Sequence, residues 1–375
     1  MTQTGIPDRM KAAQQRGFGA IDQVLTVAID VPVPRELKSD QILVRVHAAS
    51  INPIDWKILN GNLSLIQKYS WPHIPGFDCS GIVVDVGPSV KRFRIGDCVY
   101  GNVSTEGGSY AEYVRGSQKL FALKPKNLSH IEASACPLAC ETSYQALFNH
   151  GKVTKDSKVF ICGGATATGL FGIQLAKAVG AHVATTCSER NLDILKNKLG
   201  LNIVQNPELG ESLGDLLVIN YQEKDFGIEL NGQNYDVVYD CTGGYEQWSS
   251  AQHILKPGGK FITIVGDDKK SEINLKSILS VGSSLVNRKF WSVVNSSHPS
   301  YSLIFLRMSY EELDILRTNF FEKDLIKPII DQTFDFDLHG LQGMYEKSKS
   351  GKARGKLVLK IVTDTDEQQE TIIDK

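Results

Sequence analysis

The stretch Gly163-Gly164-Ala165-Thr166-Ala167-Thr168-Gly169 follows an apolar run, Lys158 to Cys162, and leads into a segment from Ala167 to Val179 that reads as a helix. Small residues between a strand and a helix N-terminus let a pyrophosphate approach the backbone amides, where the helix dipole favours negative charge. Gly163, Thr166 and Gly169 stand on the three positions of the dinucleotide fingerprint, with Thr in place of the middle glycine, so the strict pattern is degraded. A glycine turn joining any strand to any helix would read the same way at this level.

The next strand, His182 to Thr186, bears on which dinucleotide would be held. It runs into Cys187-Ser188-Glu189-Arg190. An acidic residue here would bind the ribose hydroxyls of NAD, whereas a small hydroxyl at Ser188 and a guanidinium at Arg190 suit the 2′-phosphate of NADPH. Glu189 keeps the other reading open, because a carboxylate facing the ribose would favour NADH. Other chemistries find less support. His47, His73, His130 and His150 show no ligand spacing and read as isolated structural residues, and there is no Gly-x-Ser-x-Gly elbow for a hydrolase. The seven cysteines contain no Cys-x-x-Cys pair, and Cys136 and Cys140 read as small residues on a buried helix face rather than as metal ligands.

The elements that must position these residues fall into two patterns. Residues 22 to 125 hold short strand-like runs at Ile42 to Ala48, Cys79 to Gly87, Asp97 to Gly101 and Ser109 to Val114, which predicts a β-rich domain. From about Leu138 apolar strands alternate with glycine turns and amphipathic helices, the signature of a parallel sheet. Later strands are expected at Val237 to Cys241 and at Lys260 to Val265, the latter after a tight turn at Leu255 to Gly259. A helix-like stretch from Ser302 leads to strands at Ile326 to Ile330 and Lys356 to Val362, and the polar tail, 363–375, reads as disordered.

At 375 residues, 42% hydrophobic and 22% charged, with a formal net charge of −1, the chain has the make-up of a globular protein of two domains. Without a basic excess, nucleic acid is not an expected partner. No apolar run is long enough to span a membrane, and the first residues lack the features of a secretory or transit segment, so the expected place is the cytoplasm.

Several separated motifs in fixed order resemble one family. They are Ser50 to Lys57 (SINPIDWK), Pro75 to Gly81 (PGFDCSG) with Val86-Gly87, Phe93 to Asp97 (FRIGD), Gly107 to Tyr113 (GGSYAEY), the glycine turn, Thr186-Cys187-Ser188, and Gly351 to Lys356 (GKARGK). Together they resemble the zinc-free quinone oxidoreductases and enoyl reductases of the medium-chain dehydrogenase/reductase superfamily, in particular the branch of reticulon-4-interacting-protein-like enzymes. The resemblance runs from about Met10 to Val362.

That likeness implies an α/β architecture, a GroES-like β-rich catalytic domain plus a doubly wound Rossmann domain, with the active site in the cleft between them. The expected boundaries are 10–137, completed by 300–362, and 138–299. Carried over residue by residue, the NADPH contacts fall on Ala165, Ala167 and Thr168, on Ser188, Arg190 and Tyr221, on Thr242 and Gly243, on Leu306, and on Lys352, Ala353 and Arg354. Leu306 departs from the aromatic residue often found there. Zinc-dependent relatives carry a cysteine where this chain has Asn52, a His-Glu pair where it has Phe77-Asp78, and another cysteine near Leu138, so no metal is expected.

The implied activity is NADPH-dependent hydride transfer to a quinone or to an enone or enoyl substrate. Hydrogen-bond donors would then take the place of a Lewis acid. Asn52, Lys57 and Thr142 are the candidate donors, with Tyr69 and Tyr144 weaker ones; Lys57 could equally be a solvated charge, and Asn52 could brace its own turn before Pro53. A chain that binds NADPH as a non-catalytic scaffold or redox-sensing partner is the alternative. A homodimer is expected, since an open sheet edge is a pairing template. The segment from Asn202 to Leu217 looks longer than the family's usual link and has no functional reading.

Overall fold

The computed structural model describes residues 5–62, 64, 68–103, 108–206, 214–267 and 298–362. The polar tail, 363–375, lies outside them. Two compact units emerge, one formed by Met1–Leu138, Met308–Lys323 and Ile330–Lys375, the other by Ala139–Arg307 and Asp324–Ile329.

In the first unit β1 (Arg9–Gln15) and β2 (Leu25–Pro32) pair antiparallel, with the short helix α1 (Ile21–Val24) between them. The larger sheet is built on β3 (Gln41–Ser50), which pairs antiparallel with β4 (Asp78–Val86), with β6 (Tyr113–Ser117) and with β16 (Lys356–Lys360). Beyond β4 lie β5 (Cys98–Asn102) and β7 (Phe121–Leu123), and β15 (Ile330–Asp335) closes the other edge parallel to β16. Between β3 and β4 runs α2 (Pro53–Leu59), and α3 (His130–Ser134) follows β7. Nine of the ten residues of β3 are buried, as expected of a central strand, and Ile42, Val44, Val46 and Ala49 join Val83, Val99, Phe121 and Leu357 in one core.

The second unit takes in most of α4 (Pro137–Tyr144) and carries a seven-stranded parallel sheet. Its strands are β8 (Lys158–Cys162), β9 (His182–Cys187), β10 (Asn202–Val204), β11 (Asp215–Asn220), β12 (Tyr235–Asp240), β13 (Leu255–Thr263) and β14 (Ser300–Leu303). The spatial order β10-β11-β9-β8-β12-β13-β14 reverses direction between β8 and β12, which is where doubly wound sheets bind ligands at the carboxyl ends of the strands. The helices α5 (Ala167–Ala178), α6 (Phe226–Glu229) and α7 (Tyr245–Ile254) follow β8, β11 and β12. Strands covered on both faces need no alternation, which is why Val-Phe-Ile-Cys and Leu-Leu-Val-Ile read as continuous apolar runs.

Several expected elements are displaced. The strand expected at Ser109 to Val114 is Tyr113–Ser117, because Ser109 and Tyr110 are held by backbone bonds to Gly76 and Pro75 instead. The turn Leu255 to Gly259 lies inside β13, as a register shift opposite Tyr235 and Val237 that Gly258, at φ +71°, absorbs. From Ser302 the chain continues β14 and turns helical only at Tyr310, and the strand expected at Ile326 to Ile330 starts at Ile330, beyond Pro328. Part of the long segment after Asn202 forms the edge strand β10.

Candidate active site

The glycine turn leaves the carboxyl end of β8 at the reversal point of the sheet. Gly163 adopts φ +83°, and a Cβ on it would stand 2.4 Å from Thr242 Cγ2 across the crevice. Its amide does not face a ligand, since Gly163 N donates to Thr186 Oγ1 at 2.8 Å and Gly164 N to Thr186 O at 2.9 Å. Thr166 caps α5, its Oγ1 accepting from Gly169 N at 3.0 Å and donating to Gly163 O at 2.8 Å. The Thr in place of the middle glycine therefore serves as an N-cap, and the first-turn amides of Ala167 and Thr168 remain for an anion. Gly169 packs so closely that a Cβ would lie 2.2 Å from Gly163 O.

Register places the remaining predicted contacts of this unit. Cys187, the last residue of β9, pairs with Asn220, the last of β11, so Ser188 and Tyr221 leave adjacent strand ends together. Ser188 is 1% exposed and its Oγ has no hydrogen-bond partner among the described residues, while Glu189, Arg190 and Tyr221 are exposed. A buried hydroxyl lacking a partner at the end of the second strand fits a ribose or phosphate oxygen. On the other side of the crevice, Asp240 organises Thr242 and Gly243: its Oδ1 accepts from Thr242 N, Thr242 Oγ1 and Gly243 N at 2.9 to 3.0 Å, and its Oδ2 from Thr263 Oγ1 at 2.7 Å. The sequence reading missed Asp240; its signal was an acidic residue ending an apolar strand before Thr-Gly. Leu306 precedes Arg307, whose backbone N and O both bond the Gln145 side chain just past α4.

The first unit holds a buried charge cluster. Asn52, 2% exposed, donates from Nδ2 to Asp78 Oδ2 at 2.8 Å and accepts on Oδ1 from Lys356 Nζ at 2.6 Å. Asp78, wholly buried, also accepts from Asn102 Nδ2 at 2.8 Å and from Leu138 N at 3.1 Å. Lys356 Nζ reaches Ile51 O at 3.1 Å and Asp78 Oδ2 at 3.5 Å. Burial pushes the Asp78 carboxyl up and the Lys356 ammonium down, and their mutual attraction opposes both. Asp55 accepts from Asn52 N at 2.8 Å, and burial, aided by the Asp78 charge, raises it to about 7.

Comparison with known proteins agrees with this architecture. Residues 38–126 match the Alcohol dehydrogenase GroES-like domain family and residues 213–359 the Zinc-binding dehydrogenase family. The chain is 32% identical over 367 residues to a 2-methylene-furan-3-one reductase of Solanum lycopersicum, covering 96% of this chain and 81% of that one. The chain belongs to the medium-chain dehydrogenase/reductase family. An NADPH-dependent alkenal/one oxidoreductase of Arabidopsis thaliana, chloroplastic by name, is 36% identical over 70% of this chain, which spans 64% of that protein. The solved quinone oxidoreductase of Coxiella burnetii superposes with a TM-score of 0.74 at 31% identity, over 94% of this chain and all of that one.

Zinc, which the second family name implies, does not fit this dehydrogenase/reductase. The positions that hold its ligands in zinc-dependent relatives do converge, as Asn52, Asp78 and Leu138, but they are joined to one another and to an ammonium. Among the described residues no group of three or more His, Cys, Asp or Glu could hold a metal ion.

The candidate donors separate on inspection. Asn52 gives one amide hydrogen to Asp78, accepts from Lys356 and braces the start of α2, the bracing role its turn before Pro53 suggested. Lys57 is half-buried, its ammonium lies 5.7 Å from the centre of the Trp56 ring, and burial lowers its pKa. Thr142 is 5% exposed on α4, whose next residue, Ser143, donates to Thr168 O at 2.9 Å and so ties that helix to the glycine turn. Burial raises Tyr69 to about 12, and its hydroxyl has no hydrogen-bond partner among the described residues. Tyr144 packs against Phe148. Lys352 and Arg354 are exposed in the turn before β16, and Ala353 packs on the first unit's core. Among the described residues no helix is long and apolar enough to cross a membrane.

The histidines are not all isolated, as the sequence suggested. The rings of His47 and His130 lie 4.4 Å apart, and His130 Nδ1 is 2.8 Å from Ser80 Oγ. Ser80 Oγ also lies 2.8 Å from Val99 O, a carbonyl that competes with the imidazole for the single hydroxyl proton. Burial holds His47 down to about 4 and His130 to about 3. Unfolded histidine protonates below its ordinary 6.5, so this stability is present above that pH and is lost as the pH falls towards 4. Asp55, raised from 3.8 to about 7, acts oppositely over the same window, as do Asp78 and Asp240, which burial also raises. His47→Asn is therefore expected to remove about 3 kcal/mol of the stability that histidine loses on acidification from 6.5 to 4, and so to change the slope of the unfolding midpoint against pH. Thermal melts across this range that show the same slope in both proteins would contradict it.

Proposed function

We propose that the chain is an NADPH-dependent reductase that transfers hydride to a quinone or to the β-carbon of an α,β-unsaturated carbonyl, without a bound metal. The observation that carries this reading is the self-satisfied cluster of Asn52, Asp78 and Lys356 at the ligand positions of zinc dehydrogenases. An alcohol substrate would have to lose its proton with no Lewis acid to help, whereas an activated double bond needs only a donor for the oxygen that becomes an enolate or hydroquinone. The relatives named for 2-methylene-furan-3-one reduction and for NADPH-dependent alkenal/one chemistry support the same class.

When bound, NADPH supplies the hydride from C4 of its nicotinamide. The amides of Ala165, Ala167 and Thr168 would hold its pyrophosphate, Ser188, Arg190 and Tyr221 its 2′-phosphate, and Thr242 and Gly243 the far wall of the crevice, with Leu306, Lys352, Ala353 and Arg354 completing the set. Lys57 is the donor best suited to the developing oxygen. Its ammonium forms no ion pair among the described residues, and burial strengthens it as an acid. Thr142 is the second donor.

A screen of NADPH consumption against enals, enones and quinones, with and without chelator, tests this reading. Reduction that survives the chelator is expected. NADP-linked oxidation of simple alcohols with no reductase activity on enones, or one zinc per chain in metal analysis, would overturn it.

A further inference from the structure

The three places where zinc-dependent relatives carry ligands lie far apart in the chain, yet here Asn52 and Leu138 both bond Asp78. Asn52 and Asp78 in turn meet the ammonium of Lys356, contributed by β16. It is 3% exposed and has three oxygen neighbours, Asn52 Oδ1 at 2.6 Å, Ile51 O at 3.1 Å and Asp78 Oδ2 at 3.5 Å. An ammonium has three hydrogens to give, so the acceptor count matches the donor count. Asp78 in turn is met by Asn102 Nδ2 and by the backbone of Leu138, so the negative partner is also fully engaged. Two of the three contacts of Lys356 fall on Ile51 and Asn52, the residues that lead into α2, and Asn52 N is fastened to Asp55 in the first turn of that helix. Lys57 follows two residues later on the same helix.

We propose that Lys356 is the positioning residue of the site, an internal cation that replaces the metal by pinning the Ile51–Asn52 turn and, through α2, setting where Lys57 presents its ammonium. This rests on the proposed donor role of Lys57. A metal holds its ligands by coordination; here one buried charge does so by hydrogen bonds, and it withdraws the carboxylate a metal would need. The reaction does not pass through Lys356, which touches neither cofactor nor substrate in this scheme.

The test compares wild type, Lys356→Met, Asp78→Asn and the double variant Lys356→Met/Asp78→Asn. Each single variant leaves a buried group without its partner and is expected to lower the melting temperature by roughly 10 °C, whereas the double variant, with neither charge, recovers part of that loss. Because the pin stays absent, kcat for enone reduction is expected to remain about 10- to 100-fold down in the double variant, with the NADPH Kd unchanged. Stability and kcat that recover together would reduce Lys356 to a structural charge and overturn the proposal, as would a Lys356→Met protein that keeps wild-type kcat. If wild type itself reduces no enone or quinone, the functional reading fails; fluorescence of Trp56, in a background where the other three tryptophans are replaced by Phe, then tests the pin alone. A shift in Lys356→Met that persists in the double variant supports it, and an unshifted spectrum overturns it.

Discussion

Arg190→Ala is expected to lower catalytic efficiency with NADPH by roughly 10- to 150-fold while leaving NADH nearly unchanged, because a charge-assisted hydrogen bond contributes on the order of 1.5 to 3 kcal/mol. The 2′-phosphate is the only difference between the two cofactors, and it needs donors rather than a carboxylate. Ser188 follows β9 with a buried hydroxyl that has no partner among the described residues, and the β9–β11 register brings Tyr221 to the neighbouring strand end. Arg190 supplies the positive charge from the short turn Glu189–Asn191 that Ser188 begins. Steady-state kinetics with both cofactors decide the matter. A wild type that prefers NADH, or a variant in which both cofactors suffer equally, would give the ribose to Glu189.

Gly169→Ala is expected to abolish tight cofactor binding and to destabilise the second unit by about 3 kcal/mol or more. A Cβ at 169 would lie 2.2 Å from Gly163 O and 3.0 Å from Gly163 C and Gly164 Cα, all of them backbone atoms that cannot swing aside. The first turn of α5 would have to retreat from the end of β8, and with it the amides of Ala167 and Thr168. Gly172→Ala, one turn later, is the matched control, because the atoms nearest its Cβ would be side-chain atoms of Tyr239 and Ile161, at 3.2 to 3.3 Å, and it should cost about 1 kcal/mol. Calorimetry and NADPH fluorescence titration measure both effects. Equal behaviour of the two variants would show that helix-to-turn contact at Gly169 does not set the phosphate seat.

What could be read in advance was local. Lys158 to Cys162, the glycine turn and the following helix are contiguous, and each carries its own pattern: an apolar run, small residues, an amphipathic segment. The β-rich unit was harder. Its first two strands and α3 escaped notice, and the strand at Tyr113 was placed early because Ser109 and Tyr110 belong to a bonded turn. Asn52 illustrates the limit for the site. Its motif stood out, but its partner Lys356 is 304 residues away, and nothing in the sequence announces that the two share a hydrogen bond. His47 and His130 are likewise brought into contact only by packing across the sheet. Thr166 shows a substitution that looked like a defect and serves as a cap.

The most direct test of metal-independent hydride transfer is to follow the label itself, using NADPH deuterated at nicotinamide C4 with an enone in the presence of chelator, and to locate deuterium in the product by NMR. Deuterium at the β-carbon, with the other hydrogen drawn from solvent at the α-carbon, is the expected result. NADPH that binds but transfers no label to any enone, enal or quinone would contradict the account and leave the chain a nucleotide-binding scaffold.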